Sequence, residues 1–473
     1  MVGPDFHRPK TPETTRYTEH ALSTKTVNSE KILGKAGKAQ YYTKESLSRE
    51  WWTMFHSPEL NELIKRGLRN SPTIAAAKAA LREAQENLKV QVGTLYYPAF
   101  NALVFGEREL EIGDPPSTPS NLFNLYNASV SVTYNFDIFG GTRRQVEAYR
   151  ALVDFQCYEL DAAFITLTSN IATTAIREAS LREQIKATKQ IIKLNQHQLK
   201  ILKKQFELGS ASESDVLAQQ ILLEQNEALL PTLVTQQAQA RHLLAVLVGV
   251  IPSESQLPTF DLNKLELPGE LPISVPSTLA EHRPDVRASL ALLHQTNALI
   301  GVATANLFPQ ITLSASYGYA GEVLPRLFTA KNQLWDYMAQ MTQTLFQGGA
   351  LLAARRAAIA SRNEAFAQYK QTVLQAFQNV ADSLRALDSD AKNLKSLAKA
   401  ERDAEHALKI VKKQYSLGAA SFLSLLVAEL QYQQSYYNRI ESEAARFSDT
   451  VALFQALGGG WWDRETNGKE FAK

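Results

Sequence analysis

"KKQFELGSASESDVLAQQ", Lys203–Gln220, returns later in the chain as "KKQYSLGAASFLSLLVAE", Lys412–Glu429. The two stretches share Lys-Lys-Gln, an aromatic residue, Leu-Gly and Ala-Ser at one offset of 209 residues. A match that long marks a chain built twice. Gly209 and Gly418 are placed to take the left-handed conformation that ends a helix. Ser212 and Ser421 follow three residues later, where a hydroxyl caps the next helix. The repeated segment therefore reads as the tip of a helical hairpin, made twice.

Upstream of each tip the pattern is helical for about 65 residues, roughly 100 Å at the usual rise per residue. It begins after a Gly-Gly pair, Gly140–Gly141 in one copy and Gly348–Gly349 in the other. Apolar residues recur every seven positions at Ile185, Ile192, Leu199 and Phe206. The second copy has Leu394, Leu408 and Tyr415, interrupted by Glu401, beside Leu397, Ala404 and Val411. That spacing is a coiled-coil seam. The hairpins are expected over 142–249 and 350–457.

Before each Gly-Gly pair the period changes to two. "ASVSVTYNFDIF" sets Val130, Val132, Tyr134 and Phe136 against Ser129, Ser131, Thr133 and Asn135. "QITLSASYGYAG" repeats the alternation from Ile311 to Tyr319. Strands are expected at 98–107, 126–137, 309–320 and 333–346, joined in pairs by Pro- and Gly-bearing loops. An Ala-rich helix opened by Pro precedes each pair, in "SPTIAAAKAALREAQ" and "RPDVRASLALLHQ". The resulting order is an extended arm over 1–50, a first repeat over 51–270, a second over 271–459 and a tail over 460–473.

Composition narrows the function. Fifty Lys and Arg balance 48 Asp and Glu, for a net charge of +2, which gives no reason to expect nucleic acid. The single cysteine, Cys157, excludes an intrachain disulfide framework and reads as a small packed residue. The eight His lack metal-ligand spacing, and His282 in "EHRPDV" lacks the second His of a zinc-protease helix. "GGTRRQ" and the Arg355–Arg356 pair lack the Lys-Ser/Thr end of a phosphate loop, so these Arg read as solvated charge or a junction. No catalytic constellation or cofactor site is legible. No apolar run reaches the ~20 residues of a membrane helix, so any membrane crossing must use strands.

Four strands cannot close a barrel, and an open sheet edge is not tolerated in lipid. Several chains must contribute, and three copies would supply twelve strands. The expected class is mainly α: long antiparallel coiled-coil helices forming a tunnel, plus a shared membrane β-barrel.

Several motifs in one order then carry a resemblance over nearly the whole chain. They are "VGPDFHRP" at Val2–Pro9, "WWTMFHSPELNELI" at Trp51–Ile64, "RPDV" at Arg283–Val286, "LFPQITL" at Leu307–Leu313 and "LGGGWW" at Leu457–Trp462. With them the chain resembles the TolC-like outer-membrane efflux channels, in the lipoprotein branch typified by OprM and NodT. The resemblance implies a homotrimer with a twelve-stranded outer-membrane barrel and a periplasmic tunnel. It implies a periplasmic adaptor and an inner-membrane pump, of RND type for this branch, as partners. It also implies a palmitate-bearing cysteine, here at or just before Met1, that anchors the chain to outer-membrane lipid.

In such channels the tips receive the adaptor and close the periplasmic end. By that resemblance Gly209, Ser212, Asp215, Gly418 and Ser421 are docking candidates, and Leu423 and Val427 form the gate. The family pattern is close to Leu-x-Leu-Leu-Asp-Ala, and here Val427 stands at the Asp. A valine closes by apolar contact and leaves the mouth less cation-selective than an Asp ring. Glu429, two residues on, is rotated too far to replace that Asp. Plainer readings stand beside these: Asp215 as a dipole partner of its helix, the two Gly as helix stops, Leu423 as core. Other functions remain open at this point. A type I protein-secretion channel shares the architecture. A non-conducting periplasmic adaptor would have one hairpin, not two, and an enzyme lacks its motifs.

Overall fold

A computed structural model describes residues 1–10, 14, 16–19, 23–43, 47–111, 121–254, 256–273 and 282–461. The loop at 112–120 and the tail beyond Trp461, with Trp462 of the last motif, lie outside these described residues. The chain divides into two compact units, each drawing on both repeats. One comprises Met1–Pro9, Ala79–Cys157 and Ala288–Gln371; the other comprises Lys10–Lys78, Tyr158–Arg287 and Thr372–Lys473.

The first unit is organised by an antiparallel sheet of β1 (Ala99–Glu111), β2 (Asn121–Phe136), β3 (Gln310–Gly321) and β4 (Gln333–Thr342), paired in that order. Its register aligns the alternation of all four strands. Ala102 lies opposite Val130, Val130 opposite Tyr317, and Tyr317 opposite Trp335. On the other face Asn101 meets Ser131, Ser131 meets Ser316, and Ser316 meets Asp336. At these central positions one face is apolar and aromatic from edge to edge and the other small and polar; toward Glu111 the first also carries Arg108 and Asn124, and the second Phe123 and Leu125. β2 begins five residues earlier than expected: "NLFNLY" breaks the alternation, but it pairs residue by residue with Gly106–Glu111 of β1. β4 stops at Thr342, short of the expected 346, and leaves Leu345 and Phe346 exposed.

The N-terminal nonapeptide belongs to this unit and is held closely. Val2 N–H donates to Phe139 O at 2.9 Å, and Asn297 Nδ2 donates to Pro4 O at 3.1 Å. Phe6 stacks on His294 with ring centroids 4.3 Å apart. Arg144, fully buried, pairs with Asp5 at 2.5 Å and Glu147 at 2.8 Å. Gly3, at φ +86°, brings its backbone against Gly301, where any side chain would collide. The "VGPDF" motif is thus a packing motif: each residue meets a specific receptor.

The second unit holds most of the long helices: α1 (Gly141–Glu207), α2 (Glu213–Leu247), α3 (Ala350–Ser416) and α4 (Phe422–Ala456). Corresponding helices have equal lengths, 67 and 67, then 35 and 35 residues. α2 continues through Pro231. Ile185, Ile192 and Leu199 are buried as the heptad row requires, but Phe206 is 45 % exposed, so the seam ends before the tip. In the second copy Leu394 and Ala404 are buried, while Leu397, Leu408, Val411 and Tyr415 are half-buried.

Aromatic packing explains two further motifs. Trp51 and Phe55 of "WWTMF" pack on Phe454 with centroids 5.4 and 6.3 Å away, and Phe55 on Phe447 at 6.3 Å. Such pairs add ~0.5–1.5 kcal/mol each beyond area burial. Ser57 then caps the helix Pro58–Asn70 by accepting from Leu60 N–H at 3.2 Å. In "RPDV", Arg283 holds Asp285 at 2.6 Å and the end of α4 through Ala456 O at 2.7 Å.

The arm is not extended throughout, as the sequence suggests. It contains a helix at Glu30–Leu33, a 3-10 turn at Gly34–Gly37, and a strand at Tyr41–Thr43 paired in parallel with Glu270–Pro272. These pieces are too short to show a period. Arg446 fixes them: fully buried, it donates to Ala36 O and Lys38 O, both at 2.8 Å, and to Thr26 Oγ1 at 3.3 Å.

Candidate functional site

Each tip is a tight reversal built from local hydrogen bonds. In the first, Gly209 at φ +72° follows α1; Ser210 N–H donates to Gln205 O at 2.8 Å and Gly209 N–H to Phe206 O at 2.9 Å. In the second, Gly418 at φ +73° lets Ala419 N–H reach Gln414 O at 2.9 Å and Gly418 N–H reach Tyr415 O at 3.0 Å. This paired pattern satisfies carbonyls that the helix end would otherwise leave free.

The helices that follow start differently. Ser212 Oγ accepts from Asp215 N–H at 3.2 Å, and Asp215 Oδ2 accepts from Ser212 N–H at 3.2 Å and from its hydroxyl at 2.7 Å. This reciprocal capping box commits the Asp215 carboxylate to its own helix. At the second tip Ser421 Oγ accepts from Ser424 N–H at 3.2 Å, but Ser424 returns nothing to the Ser421 backbone. The first turn of α4 carries no acid, whereas that of α2 carries Glu213 and Asp215.

The tips stand side by side. Tyr415 OH donates to Gln205 Oε1 at 3.3 Å, and burial, then the Asp215 charge, push its phenol above the ordinary range. Phe422 packs on Tyr415 at 6.0 Å and is buried with Leu425. The opposite side of α4 is bare: Leu423 is 64 % exposed and Val427, one turn on, is 57 % exposed. Leu208 and Leu417, just before the two glycines, are also exposed.

Glu429 points elsewhere. It is half-buried, and burial raises its carboxyl above the ordinary value against the opposing pull of Lys412 and Gln198. Farther from the tips lies a polar layer that sequence reading missed. Gln219, fully buried, donates to Asn195 Oδ1 at 3.4 Å, and Gln433 donates to Asn226. Its signal was present as Asn and Gln inside coiled-coil helices, a pattern that fixes register.

Among the described residues no His, Cys, Asp and Glu group could hold a metal ion, and no helix is long and apolar enough to cross a membrane. The sheet has that capacity. Its apolar face suits hydrocarbon, and among the described residues its outer strands β1 and β4 each have one edge without a neighbouring strand, which in lipid further strands must cover.

A sequence model of outer membrane efflux proteins matches residues 63–250 and again 275–459. The chain belongs to that family. The double match follows the two repeats. Over 421 residues the chain is 29 % identical to the pyoverdine export outer membrane protein OpmQ of Pseudomonas aeruginosa, covering 87 % of this chain and 88 % of that one. It is 26 % identical over 470 residues to the toluene efflux pump outer membrane protein TtgC of Pseudomonas putida, covering 98 % and 93 %. The solved outer-membrane channel OprN superposes with a TM-score of 0.86 at 24 % identity, covering 97 % of this chain and 99 % of that one. The fold is that of the TolC-like trimeric channels. This member of the family is an outer-membrane channel component of an efflux system, with a periplasmic tunnel.

Proposed function

We propose that three copies form the gated exit duct of a tripartite efflux assembly for small molecules. The observation that carries the gate is the pair Leu423 and Val427, exposed one turn apart on a helix whose other side buries Phe422 and Leu425. Around a threefold axis these side chains close the mouth by apolar contact. The tip residues Gly209, Ser212, Asp215, Gly418 and Ser421 shape two similar turns per chain, which gives six docking positions for a periplasmic adaptor. An inner-membrane pump of RND type supplies the energy, and the duct performs no chemical step.

Small-molecule export is favoured over protein secretion by the similarity to relatives named for pyoverdine export and toluene efflux. A non-conducting coiled-coil spacer is disfavoured by the sheet, whose apolar face and free edges would have no use in it. The lipid anchor is assigned to a cysteine at or just before position 1. Support comes from the Val2 N–H bond to Phe139 O, which fixes the segment three residues past the end of β2. Acyl mass spectrometry on protein from native envelopes tests the anchor; an unmodified N-terminus refutes it. The duct is tested by conductance in planar bilayers beside mass in mild detergent. A trimer with small, mostly closed currents is expected, and a soluble monomer would refute it.

A further inference from the structure

The two faces of the sheet differ in charge as well as polarity. Glu107 lies opposite Leu125 and Glu109 opposite Phe123, on the face that continues through Ser129 and Ser131. Asp336 lies on the same face and accepts from the Ser316 hydroxyl. Over the described strand residues this face carries no Lys, Arg or His. Arg108, between the two glutamates, points to the opposite, apolar side. With the apolar face toward lipid, the acidic face lines the lumen; in three copies Glu107, Glu109 and Asp336 place nine carboxylates there, and the register sets Glu111 on the same face. A wall of one sign in a low-dielectric tube concentrates counter-ions. The gate, by contrast, has Val427 where an acid would attract cations.

We propose that Glu107, Glu109 and Asp336 on the barrel wall, and not the tip gate, set the charge preference of the conduit, passing cationic and neutral solutes ahead of anions. The inference rests on the trimeric duct proposed above.

The test is the reversal potential of the purified trimer in a planar bilayer under a KCl gradient. It is recorded for wild type and for Leu423→Ala/Val427→Ala, whose unblocked mouth supplies steady current. A K⁺ preference of roughly tenfold is expected, the low end of such enrichment. It should weaken toward about 1 M salt, where the Debye length falls to ~3 Å. Glu107→Gln/Glu109→Gln/Asp336→Asn, made together with Glu111→Gln so that no acid is left on this face, should bring the ratio to about unity while the detergent mass stays trimeric. Arg108→Gln should leave it unchanged, because that side chain faces away from the lumen. No preference in wild type, a preference surviving the combined substitution, or an equal change from Arg108→Gln would overturn the assignment. Silence of the unblocked variant would overturn the duct itself, which the ratio does not address.

Discussion

Truncating Val427 to alanine is expected to raise the open-to-closed ratio about a hundredfold. Val427 is 57 % exposed on the single chain, so that fraction of its surface is free to be covered by neighbouring copies. The substitution removes two carbons, each worth ~0.8 kcal/mol when fully buried. Scaled by the 57 % that is available, the loss is about 0.9 kcal/mol per chain. Three chains lose about 2.7 kcal/mol of closed state, and ~1.4 kcal/mol is tenfold in an equilibrium constant. Leu423, 64 % exposed, loses three carbons on the same change, so Leu423→Ala should act more strongly, about two-thousandfold on the same scaling. The assay is single-channel open probability, with trimer mass confirmed. Leu425→Ala is the control: that residue is buried within the chain, so the change should cost ~2–5 kcal/mol of folding stability. A rise below about threefold in the Val427 variant, with the trimer intact, would show that apolar contact at this position does not hold the mouth shut.

Gly209→Ala and Gly418→Ala should each cost about 1–2 kcal/mol through the left-handed backbone alone, since nothing lies within 4 Å of an added Cβ at either site; thermal melting and the crystal structure of a variant tip would check this. Ser212→Ala should loosen the start of α2 more than Ser421→Ala loosens α4, by up to about 2 against about 1 kcal/mol, because only the first serine belongs to a reciprocal box. Amide exchange of the first helical turns would separate the two, and equal protection losses would count against the box. Burial, then the neighbouring Asp449, push Asp390 up to about 7. Its folded value is raised, so the charged form is penalised and the penalty grows as pH climbs from the ordinary value of 3.8 toward about 7. Asp390→Asn should therefore melt above wild type near pH 8, and the gap should close toward pH 4; a pH-independent gap would argue against the buried acid.

Much of this architecture was legible because its signals are local. A helix ends where Gly209 or Gly418 permits a positive φ, restarts where Ser212 or Ser421 offers an acceptor, and keeps one face apolar by a seven-residue period. The sheet was legible for the same reason, since alternation at Val130–Phe136 needs only neighbouring residues to be seen. The arm was not. Tyr41–Thr43 becomes a strand because Glu270–Pro272 offers a ladder, and its loop is ordered by Arg446 from the far end of the chain.

The candidate site divides along the same line. Sequence by itself determined the two tips, their turns and the capping serines, because backbone hydrogen bonds within five residues dictate them. It also placed Leu423 and Val427 on one helical face. Only the tertiary structure decided which face that was: Phe422 packs on Tyr415, itself bonded to Gln205 of the other hairpin, and Leu425 is buried, so Leu423 and Val427 are left outside. It likewise turned Glu429 toward Gln198. Periodicity specifies the spacing of side chains, but which side is buried depends on contacts between segments some 200 residues apart, and no local pattern encodes those.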